Sequence, residues 1–542
     1  MFALNTENLI EQLLSPESYQ HPVELITTIE THISIVFLTG EFAYKLKKPV
    51  NFGFLDFTTI DNRKKFCLLE VELNSRTAPE LYEGVYQVIY NNVDSSITLQ
   101  SVSNTTTLNS NQTVIDYLVK MKQFNPNHVL GKIVQDQETI ELSMLERLAS
   151  QIAKFHAVAQ PIKGLTELGE PETLLQPMLD NFPCLYDFFK DEEWQTTLKE
   201  IEKWTQTRFR KSKPFLKQRK KLEFVRACHG DLHLDNIALI DNEPLLFDGI
   251  EFNETFRWID VISDVAFLLI DLDFRGQKAA SHKMLSLYLS RTLDYNALYV
   301  VNFYRVYRAM VRAKITTLRA AQLEDGSLEQ QHVIEMAKKY ITQTEQYRTF
   351  NSSPKCILLQ GISGSGKSYL ADQFLEEFDL NAVTLNSDRI RKSLFGIEAQ
   401  IRANPAQKEI LYSDQMNSKT YDALRNHATT IMQAGFDVIV DATFLKLQHR
   451  QDFYKLCNQL GAKPYLISID VSPEFAEEAI KIRNLRDDNP SDADKSVMQR
   501  QISVNEQPIE QENAIVLKAD ELRKAFPKKQ LQEFLKLPLT EL

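Results

Sequence analysis

The residues best suited to chemistry in this chain form a glycine-rich segment at 361–368, which reads GISGSGKS. The segment follows an apolar run at 357–359 and has the spacing Gly-x-x-x-x-Gly-Lys-Ser. Glycines let successive backbone N–H groups point at phosphate oxygens, the lysine adds a positive charge, and the serine hydroxyl is a ligand for Mg²⁺. We predict a loop that holds a nucleoside triphosphate. Its predicted binding residues are Gly361, Ser363, Gly364, Ser365, Gly366, Lys367 and Ser368.

A second set of polar residues lies upstream, in CHGDLHLDNIAL at 228–239. Asp231 follows a His-Gly pair and Asn236 comes five residues later, which is the spacing of a kinase catalytic loop. In that arrangement the aspartate orients or deprotonates an acceptor hydroxyl, and the asparagine ligates Mg²⁺. Asp248 follows a short apolar strand in LLFDGIEFN. A carboxylate at that place would be the main metal ligand, so we predict Asn236 and Asp248 as metal ligands and Asp231 as catalytic.

Such a loop needs a lysine on a central strand to position the triphosphate. Lys45, within EFAYKLKK, has suitable surroundings, and Glu72 on the following helix is the predicted ion-pair partner. Lys47 and Glu70 are the near alternatives, because a shift of two residues along a strand keeps the same face.

The elements that would position these residues fall into two regions. Residues 33–120 alternate apolar and polar positions like an antiparallel sheet, with one helix at about 63–76, and the chain is mostly helical after 137. This layout predicts an α+β, protein-kinase-like domain at 1–345, with a β lobe at about 1–125 and a helical lobe at about 126–345. A polar linker is predicted at 346–354. Residues 355–542 alternate the strands CILLQ, AVTLN, DVIVDA and PYLISID with helices, which predicts an α/β domain with a parallel sheet.

The upstream motifs resemble those of aminoglycoside phosphotransferase-like kinases, which carry His-Gly-Asp where protein kinases carry His-Arg-Asp. The whole chain resembles a bacterial two-domain family in which such a domain is fused to a predicted P-loop kinase of the AAA, zeta-toxin and polynucleotide-kinase-like group. The segments that carry this resemblance are FLTGEFAYKLKKPVNFGFLDF, HGDLHLDN, FDGIEFN, FYRVYRAMVRAKI and the glycine-rich loop. The resemblance implies that Asp231 is catalytic, that Asn236 and Asp248 hold Mg²⁺, and that Asp264 braces the catalytic loop from a neighbouring helix.

The segment LNSDRIRKSLFG at 385–396 resembles the acceptor region of polynucleotide 5′-kinases and their small-molecule relatives. The resemblance implies that Asp388 is a general base and that Arg391, on the same side of a helix, steadies the reacting groups. Asp441 ends the strand FDVIVDAT, the position of a carboxylate that acts on Mg²⁺ or its water. A segment at 481–494 is predicted as a lid that closes over the phosphates. Its arginines are Arg483 and Arg486, with Arg450 as a weaker candidate of the same kind.

Composition limits the partners. The formal net charge of −11 gives no electrostatic footprint for nucleic acid, although a 5′-hydroxyl acceptor stays open. The N-terminus lacks the pattern of a secretory signal, no stretch of 18 apolar residues occurs, and five scattered cysteines suit a reducing compartment. We expect a cytoplasmic protein without membrane partners, and the sequence says nothing of its oligomeric state. Arg305, Arg308 and Arg312 share one helical face, which would favour an anionic acceptor if it lined a cleft, and otherwise pairs with acids or solvent.

The hypothesis from sequence is a bifunctional kinase that uses ATP and Mg²⁺ at one site per domain. Each site would transfer the γ-phosphoryl group to a hydroxyl of a small polar or anionic acceptor. One alternative makes the P-loop domain an ATP-hydrolysing or ATP-sensing regulator of a single kinase. Another makes the first domain a pseudokinase that binds a ligand without chemistry.

Overall fold

The computed structural model describes residues 6–53, 55–103, 108–136, 140–164, 166–378, 380–483 and 490–537. The chain divides into two compact units. The first unit comprises Met1–Glu138, Lys154–Gln176 and Leu216–Leu268, and the second comprises Thr139–Ala153, Pro177–Phe215 and Leu269–Leu542. These units differ from the predicted domains, because much of the helical region upstream of 346 groups with the P-loop region. The predicted limits at 345 and 355 therefore stay a prediction.

The strands, in chain order, are β1 (Thr27–Glu30), β2 (Ser34–Leu38), β3 (Phe42–Lys47), β4 (Tyr82–Asn91), β5 (Ile97–Ser101), β6 (Gln112–Lys122), β7 (Val225–Ala227), β8 (Ile237–Ile240), β9 (Glu243–Leu246), β10 (Trp258–Asp260), β11 (Lys355–Gln360), β12 (Ala382–Asn386), β13 (Asp437–Asp441), β14 (Lys463–Asp470) and β15 (Ala514–Lys518). The helices are α1 (Thr6–Leu13), α2 (Ile60–Asn74), α3 (Leu130–Asp136), α4 (Leu142–Val158), α5 (Pro171–Leu179), α6 (Phe182–Phe188), α7 (Glu192–Lys221), α8 (Glu254–Arg257), α9 (Val261–Phe274), α10 (Lys278–Thr292), α11 (Leu298–Ala320), α12 (Leu328–Thr342), α13 (Thr344–Arg348), α14 (Lys367–Glu377), α15 (Ser387–Phe395), α16 (Pro405–Leu411), α17 (Asp414–Gln433), α18 (Leu447–Leu460), α19 (Pro473–Arg483), α20 (Lys495–Ser503), α21 (Ala519–Lys524) and α22 (Lys528–Phe534).

The first unit is built on an antiparallel sheet whose described strands run in the order β1-β2-β3-β6-β4-β5. β3 is central and pairs with β2 and β6. Because side chains alternate along a strand, Tyr44 and Leu46 join the apolar core on one face, while Lys45 and Lys47 point to the other. The predicted strands at 33–38, 41–48, 85–90 and 97–103 correspond to β2, β3, β4 and β5, but β1 and the long β6 were not predicted.

Helix α2 carries the partners of those lysines. Its N-terminus is capped by the Thr59 hydroxyl, which accepts a hydrogen bond from the Asn62 backbone N–H. Its buried residues recur at helical spacing and form one face: Arg63, Cys67, Glu70 and Asn74. The helix therefore presents Glu70 and Asn74 on its buried side and leaves Glu72 exposed.

The second unit contains a parallel sheet of five described strands in the order β12-β13-β11-β14-β15. The glycine-rich loop joins β11, in the middle of the sheet, to α14. Asn386 and Asp441 end the paired strands β12 and β13 and lie side by side in the register. The parallel sheet and its four predicted strands are confirmed, and the edge strand β15 was not predicted.

The arginine face of α11 is packed inside the second unit. Arg305 and Arg308 are buried, and the Arg305 guanidinium lies 5.3 Å from the ring centre of Tyr347. Arg312 contacts Tyr340 in the same way, at 5.6 Å. This face pairs with aromatic rings in helix packing, so it gives no support to an anionic acceptor.

Among the described residues, no helix combines the length and the apolar character needed to cross a membrane.

Candidate active sites

The first site begins with a cluster of lysines and carboxylates that is buried except at Asp248, which we call the lysine network: Lys45, Lys47, Glu70, Asp248 and Glu251. The Lys45 Nζ atom lies 2.9 Å from Glu70 Oε1 and also contacts Asp248. Lys47 Nζ lies 2.5 Å from Glu70 Oε2 and contacts Glu251. Glu70 thus bridges two lysines from neighbouring positions on the same strand face.

This geometry corrects the prediction that Glu72 is the ion-pair partner of Lys45. Residues two positions apart on a helix are separated by about 200° around its axis, so only one of Glu70 and Glu72 can face β3. Glu70 is that residue, and it is fully buried, whereas Glu72 is exposed.

Burial and ion pairing act in opposite directions on the pKa values of the lysine network. Burial alone would raise the pKa of Glu70, but Lys45 and Lys47 outweigh it and lower that pKa to about 2. Burial likewise opposes the charged form of Lys45, yet Asp248 and Glu70 raise its pKa well above the ordinary range. Glu70 and both lysines are therefore ionised at neutral pH.

Replacing Lys47 with Met should destabilise the first unit by about 3–5 kcal/mol, because Glu251 and one oxygen of Glu70 would stay buried without their cation. Hydrogen exchange of β3 peptides measures this directly, as faster exchange. Lys48→Met is the matched control, since Lys48 pairs with the exposed Glu30, and it should change little. Equal exchange in the two variants would contradict a structural role for the network.

The loop that follows β7 is held from beneath by Asp264 of α9. The Asp264 carboxylate accepts hydrogen bonds from the backbone N–H groups of His229 (3.0 Å) and Gly230 (2.9 Å), and it lies 3.2 Å from His156 Nε2. Gly230 has a φ of +86°, and a Cβ there would lie 2.8 Å from the Phe256 carbonyl oxygen. Asp264 is fully buried, so its position agrees with the bracing role that the resemblance implied.

Asp231, on this loop, is half-buried and held by two neighbours. Asn236 Nδ2 donates to Asp231 Oδ2 at 3.1 Å, and His233 Nε2 lies 3.3 Å from the same oxygen. Because His233 Nδ1 accepts the Asp235 backbone N–H, the proton of the neutral ring lies on Nε2 and points at Asp231. His233 was not predicted as part of this site, although its place two residues after Asp231 was a usable signal.

Asp248 is brought to the same loop by backbone hydrogen bonds. Phe247 N–H donates to the Asn236 carbonyl at 3.0 Å, and Ile250 N–H donates to that of His229 at 2.9 Å. Asp248 itself has a φ of +59°, and the next residue, Gly249, donates its N–H to Asn74 Oδ1 at 2.7 Å. These bonds tie Asp248 to Asn236 and leave its carboxylate partly exposed.

In the second site the glycine-rich loop encloses its own lysine. Lys367 Nζ donates to the carbonyls of Gly361 and Ile362, both at 2.9 Å. Gly364 has a φ of +84°, and a Cβ there would lie 2.4 Å from the Ala476 carbonyl, so a side chain does not fit. The backbone N–H of Ser363 donates to Gln501 Oε1 at 2.7 Å. Gln501 was not predicted.

A Mg²⁺ ion fits the oxygen donors beside this loop. Ser368 Oγ donates to Asp441 Oδ2 at 2.7 Å, and Asn386 Nδ2 donates to the same oxygen at 2.9 Å. A hydroxyl and a carboxylate next to a phosphate cradle are hard oxygen ligands, which Mg²⁺ prefers. Ser368 and Asp441, both predicted as metal ligands, are thus adjacent.

Burial lowers the pKa of Lys367 from its ordinary 10.5 to about 8, against the opposing charge of Asp441. Triphosphate favours the ammonium form, so above pH 8 binding must take up a proton. The affinity of this site for a non-hydrolysable ATP analogue should therefore fall as pH rises from 7.5 to 9.5. Titration calorimetry of wild type and Lys367→Ala isolates the binding that Lys367 supports. A pH-independent difference between the two would contradict this expectation.

Asp388 and Arg391 face each other on α15 as predicted. Asn386 caps this helix by accepting the Asp388 and Arg389 backbone N–H groups. Arg391 Nη1 lies 2.5 Å from Asp388 Oδ1, and Nη2 donates to Asn417 Oδ1 at 3.2 Å. The pair lines a cavity of about 1080 Å³ that also receives Lys367, Ser368 and Asp441.

The arginines predicted to contact the phosphates differ in their surroundings. Arg483 lines the cavity and donates to the Ala493 carbonyl at 3.1 Å. Arg486 lies outside the described residues. Arg450 is corrected: it is fully buried, with Nε 2.7 Å from Glu512 Oε1 and further bonds to three backbone carbonyls, so it holds the fold together. Arg500 also lines the cavity and was not predicted.

Comparison with known proteins agrees with this architecture. Residues 123–298 match the model of the phosphotransferase enzyme family, and residues 356–508 match that of an AAA domain. The chain therefore joins a phosphotransferase domain with a kinase-like fold to a P-loop domain. Domains of these kinds imply ATP binding and phosphotransferase activity.

Similar chains are known from other organisms. Uncharacterized proteins of Mycobacterium tuberculosis and Mycobacterium bovis are each 29% identical over 428 residues, covering 78% of this chain and 80% of the relative. A choline kinase from Cryptosporidium parvum is 12% identical, with a TM-score of 0.39 over 68% of this chain and 98% of its own. A gluconokinase from Sinorhizobium meliloti is 19% identical, with a TM-score of 0.25 over 34% of this chain and 96% of its own.

Proposed function

We propose that this protein is a bifunctional ATP-dependent kinase with one phosphotransfer site in each unit. The observation that supports the proposal is that each unit brings together a lysine, oxygen donors of the kind that Mg²⁺ prefers, and a further aspartate. In the first unit these are Lys45, Asn236 with Asp248, and Asp231. In the second unit these are Lys367, Ser368 with Asp441, and Asp388.

In the first site, Glu70 holds Lys45 toward the phosphates, and Asp231 orients the acceptor hydroxyl and takes its proton. His233 and Asn236 fix the Asp231 carboxylate in place. Mg²⁺ bound by Asn236 and Asp248 would neutralise charge on the β- and γ-phosphates. Asp264 acts on the site through the loop backbone, so it is a positioning residue.

In the second site, the backbone N–H groups of the loop and Lys367 hold the phosphates, and Asp388 takes the proton of the acceptor hydroxyl. Arg391 orients Asp388 through their ion pair and adds positive charge beside the transferred group. Arg483, which lines the cavity, contributes a guanidinium to the phosphates. Both acceptors are small polar molecules with a free hydroxyl, and neither site requires a nucleic acid or a membrane.

A metabolite extract incubated with γ-labelled ATP tests the proposal. The full chain should give labelled products, of which Asp231→Asn removes one set and Asp388→Asn removes another. Label that both variants retain would overturn the assignment of these residues. ATP hydrolysis that needs no acceptor and survives Asp388→Asn would favour a regulatory P-loop domain instead.

A further inference from the structure

The cavity of the second site extends well beyond the phosphate-binding loop. Its volume of about 1080 Å³ is at the upper end of the range for small-molecule sites, so it has room for a nucleotide and an acceptor together. Part of its wall is formed by Ser363, Lys367 and Ser368, which would hold phosphates. Another part of its wall consists of residues that the proposed mechanism does not use.

Most of this second part of the wall, which we call the α10 wall, comes from helices upstream of the predicted linker. Glu146 of α4 and Lys283, Ser286 and Ser290 of α10 line the cavity, and both helices fall within the region that matches the phosphotransferase family. In the second unit α10 packs on β12 and α14, the strand and helix that flank the site. The P-loop site is therefore incomplete without a part of the upstream region.

Two contacts fasten α10 to the P-loop part of the second unit. The Thr384 backbone N–H, on the edge strand β12, donates to Ser286 Oγ at 2.9 Å. Lys283, which is buried, forms an ion pair with Glu376 of α14. Both contacts involve polar groups that would be costly to bury unpaired, so the wall has a defined position.

The wall presents groups of a definite chemistry. Glu146 and Asp372, from α4 and α14, contribute carboxylates, and Ser286 and Ser290 contribute hydroxyls. Burial raises the pKa of Asp372 to about 7, the charge of Lys283 opposes this rise, and the charge of Glu146 adds to it. The charge of Lys283 is already matched by Glu376.

We propose that Glu146, Asp372 and the α10 serines form the acceptor subsite of the P-loop kinase, and that its acceptor is an uncharged or amino-bearing hydroxyl compound. Carboxylates accept hydrogen bonds from hydroxyl and ammonium groups and repel phosphates or carboxylates. Such an acceptor would bind this wall through hydrogen bonds and would place one hydroxyl next to Asp388. This inference rests on the proposed function of the second site.

In the transfer from ATP to an acceptor hydroxyl, one bond to phosphorus forms and one breaks. The hydroxyl oxygen forms a bond to the γ-phosphorus, and the bond from that phosphorus to the β,γ-bridging oxygen breaks. ADP leaves with the electron pair, and the hydroxyl proton passes to Asp388. Glu146 and Asp372 take no part in bond making, so they determine which acceptor binds.

The test starts from the labelled product of a metabolite extract that Asp388→Asn abolishes. A phosphatase removes the transferred group, and ion exchange at pH 7 gives the charge of the released acceptor. The acceptor should be neutral or cationic. Glu146→Gln and Asp372→Asn should each raise its KM about tenfold, the cost of one charge-assisted hydrogen bond, and leave the KM for ATP unchanged.

Glu377→Gln is the control, because Glu377 also lies on α14 but pairs with Lys528 outside the cavity. It should leave both KM values unchanged. An anionic acceptor, or an acceptor KM that neither Glu146→Gln nor Asp372→Asn alters, would overturn this inference while the kinase assignment stands. If no labelled product depends on Asp388, the proposed function and this inference both fail.

Discussion

Lys367→Ala should lower phosphoryl transfer at the P-loop site about a thousandfold and leave transfer at the first site unchanged. The lysine is the cation enclosed by the loop, and loss of one preorganised group that stabilises transition-state charge has an effect of this size. In this variant the carbonyls of Gly361 and Ile362 lose their Nζ donor, while the close approach of Gly364 to the Ala476 carbonyl remains. Product-resolved kinetics with labelled ATP measures each activity separately.

Lys481→Ala is the matched control for this substitution, because Lys481 is an exposed lysine of α19 that pairs with Glu477. It should leave both activities intact. If Lys367→Ala lowers both activities together, the two sites are coupled, and the prediction that they act independently is wrong.

Asp231→Asn should lower transfer at the first site by about 10²- to 10⁴-fold while nucleotide binding persists. The amide keeps the shape of the carboxylate but cannot take the acceptor proton. Binding should persist because Lys45, Glu70 and Asp248 form a separate cluster that does not include Asp231. Kinetics of product formation and calorimetry of nucleotide binding, done on the same preparation, separate the two effects.

Asp235→Asn tests whether any charge loss in this loop has the same consequence. Asp235 lies four residues from Asp231 and is about half exposed, so its substitution should change the rate little. Unaltered product formation in Asp231→Asn would exclude Asp231 as the base. If the wild-type chain forms no labelled product that depends on the first domain, that result would support a non-catalytic first domain.

The motifs could be predicted from sequence because their chemistry and their local structure coincide. Gly361, Gly364 and Lys367 determine the conformation of the loop as well as its ligand, so a match over eight residues is sufficient. The contact between Asp231 and Asn236 could also be predicted from their spacing, because both residues belong to one loop. The apolar strand β11 that precedes the glycine-rich loop was recognisable too, since buried parallel strands read as continuous apolar runs.

Partners that meet across elements were harder to predict. The choice between Glu70 and Glu72 depends on which face of α2 packs on β3, and both residues occupy a helix with weak apolar periodicity. Strand alternation correctly allowed Lys45 and Lys47 as equivalents, and the structure uses both. Arg450 and Arg305 looked available because arginines are commonly exposed, yet each finds buried partners that are distant in sequence.

The α10 wall of the second cavity could not be predicted for a different reason. Glu146 and Lys283 belong to no motif, and only the packing of the second unit brings them to the cavity that Asp372 also lines. The predicted linker at 346–354 suggested that the P-loop region would build its site alone. Long-range packing of this kind leaves no local periodicity or spacing in the sequence.

The central claim is that one chain holds two separate pockets for a magnesium-bound nucleoside triphosphate. Titration calorimetry of the full chain with a non-hydrolysable ATP analogue and Mg²⁺ tests it most directly. We predict two nucleotides bound per wild-type chain and one per Lys367→Ala chain. A stoichiometry of one for the wild type would contradict the claim.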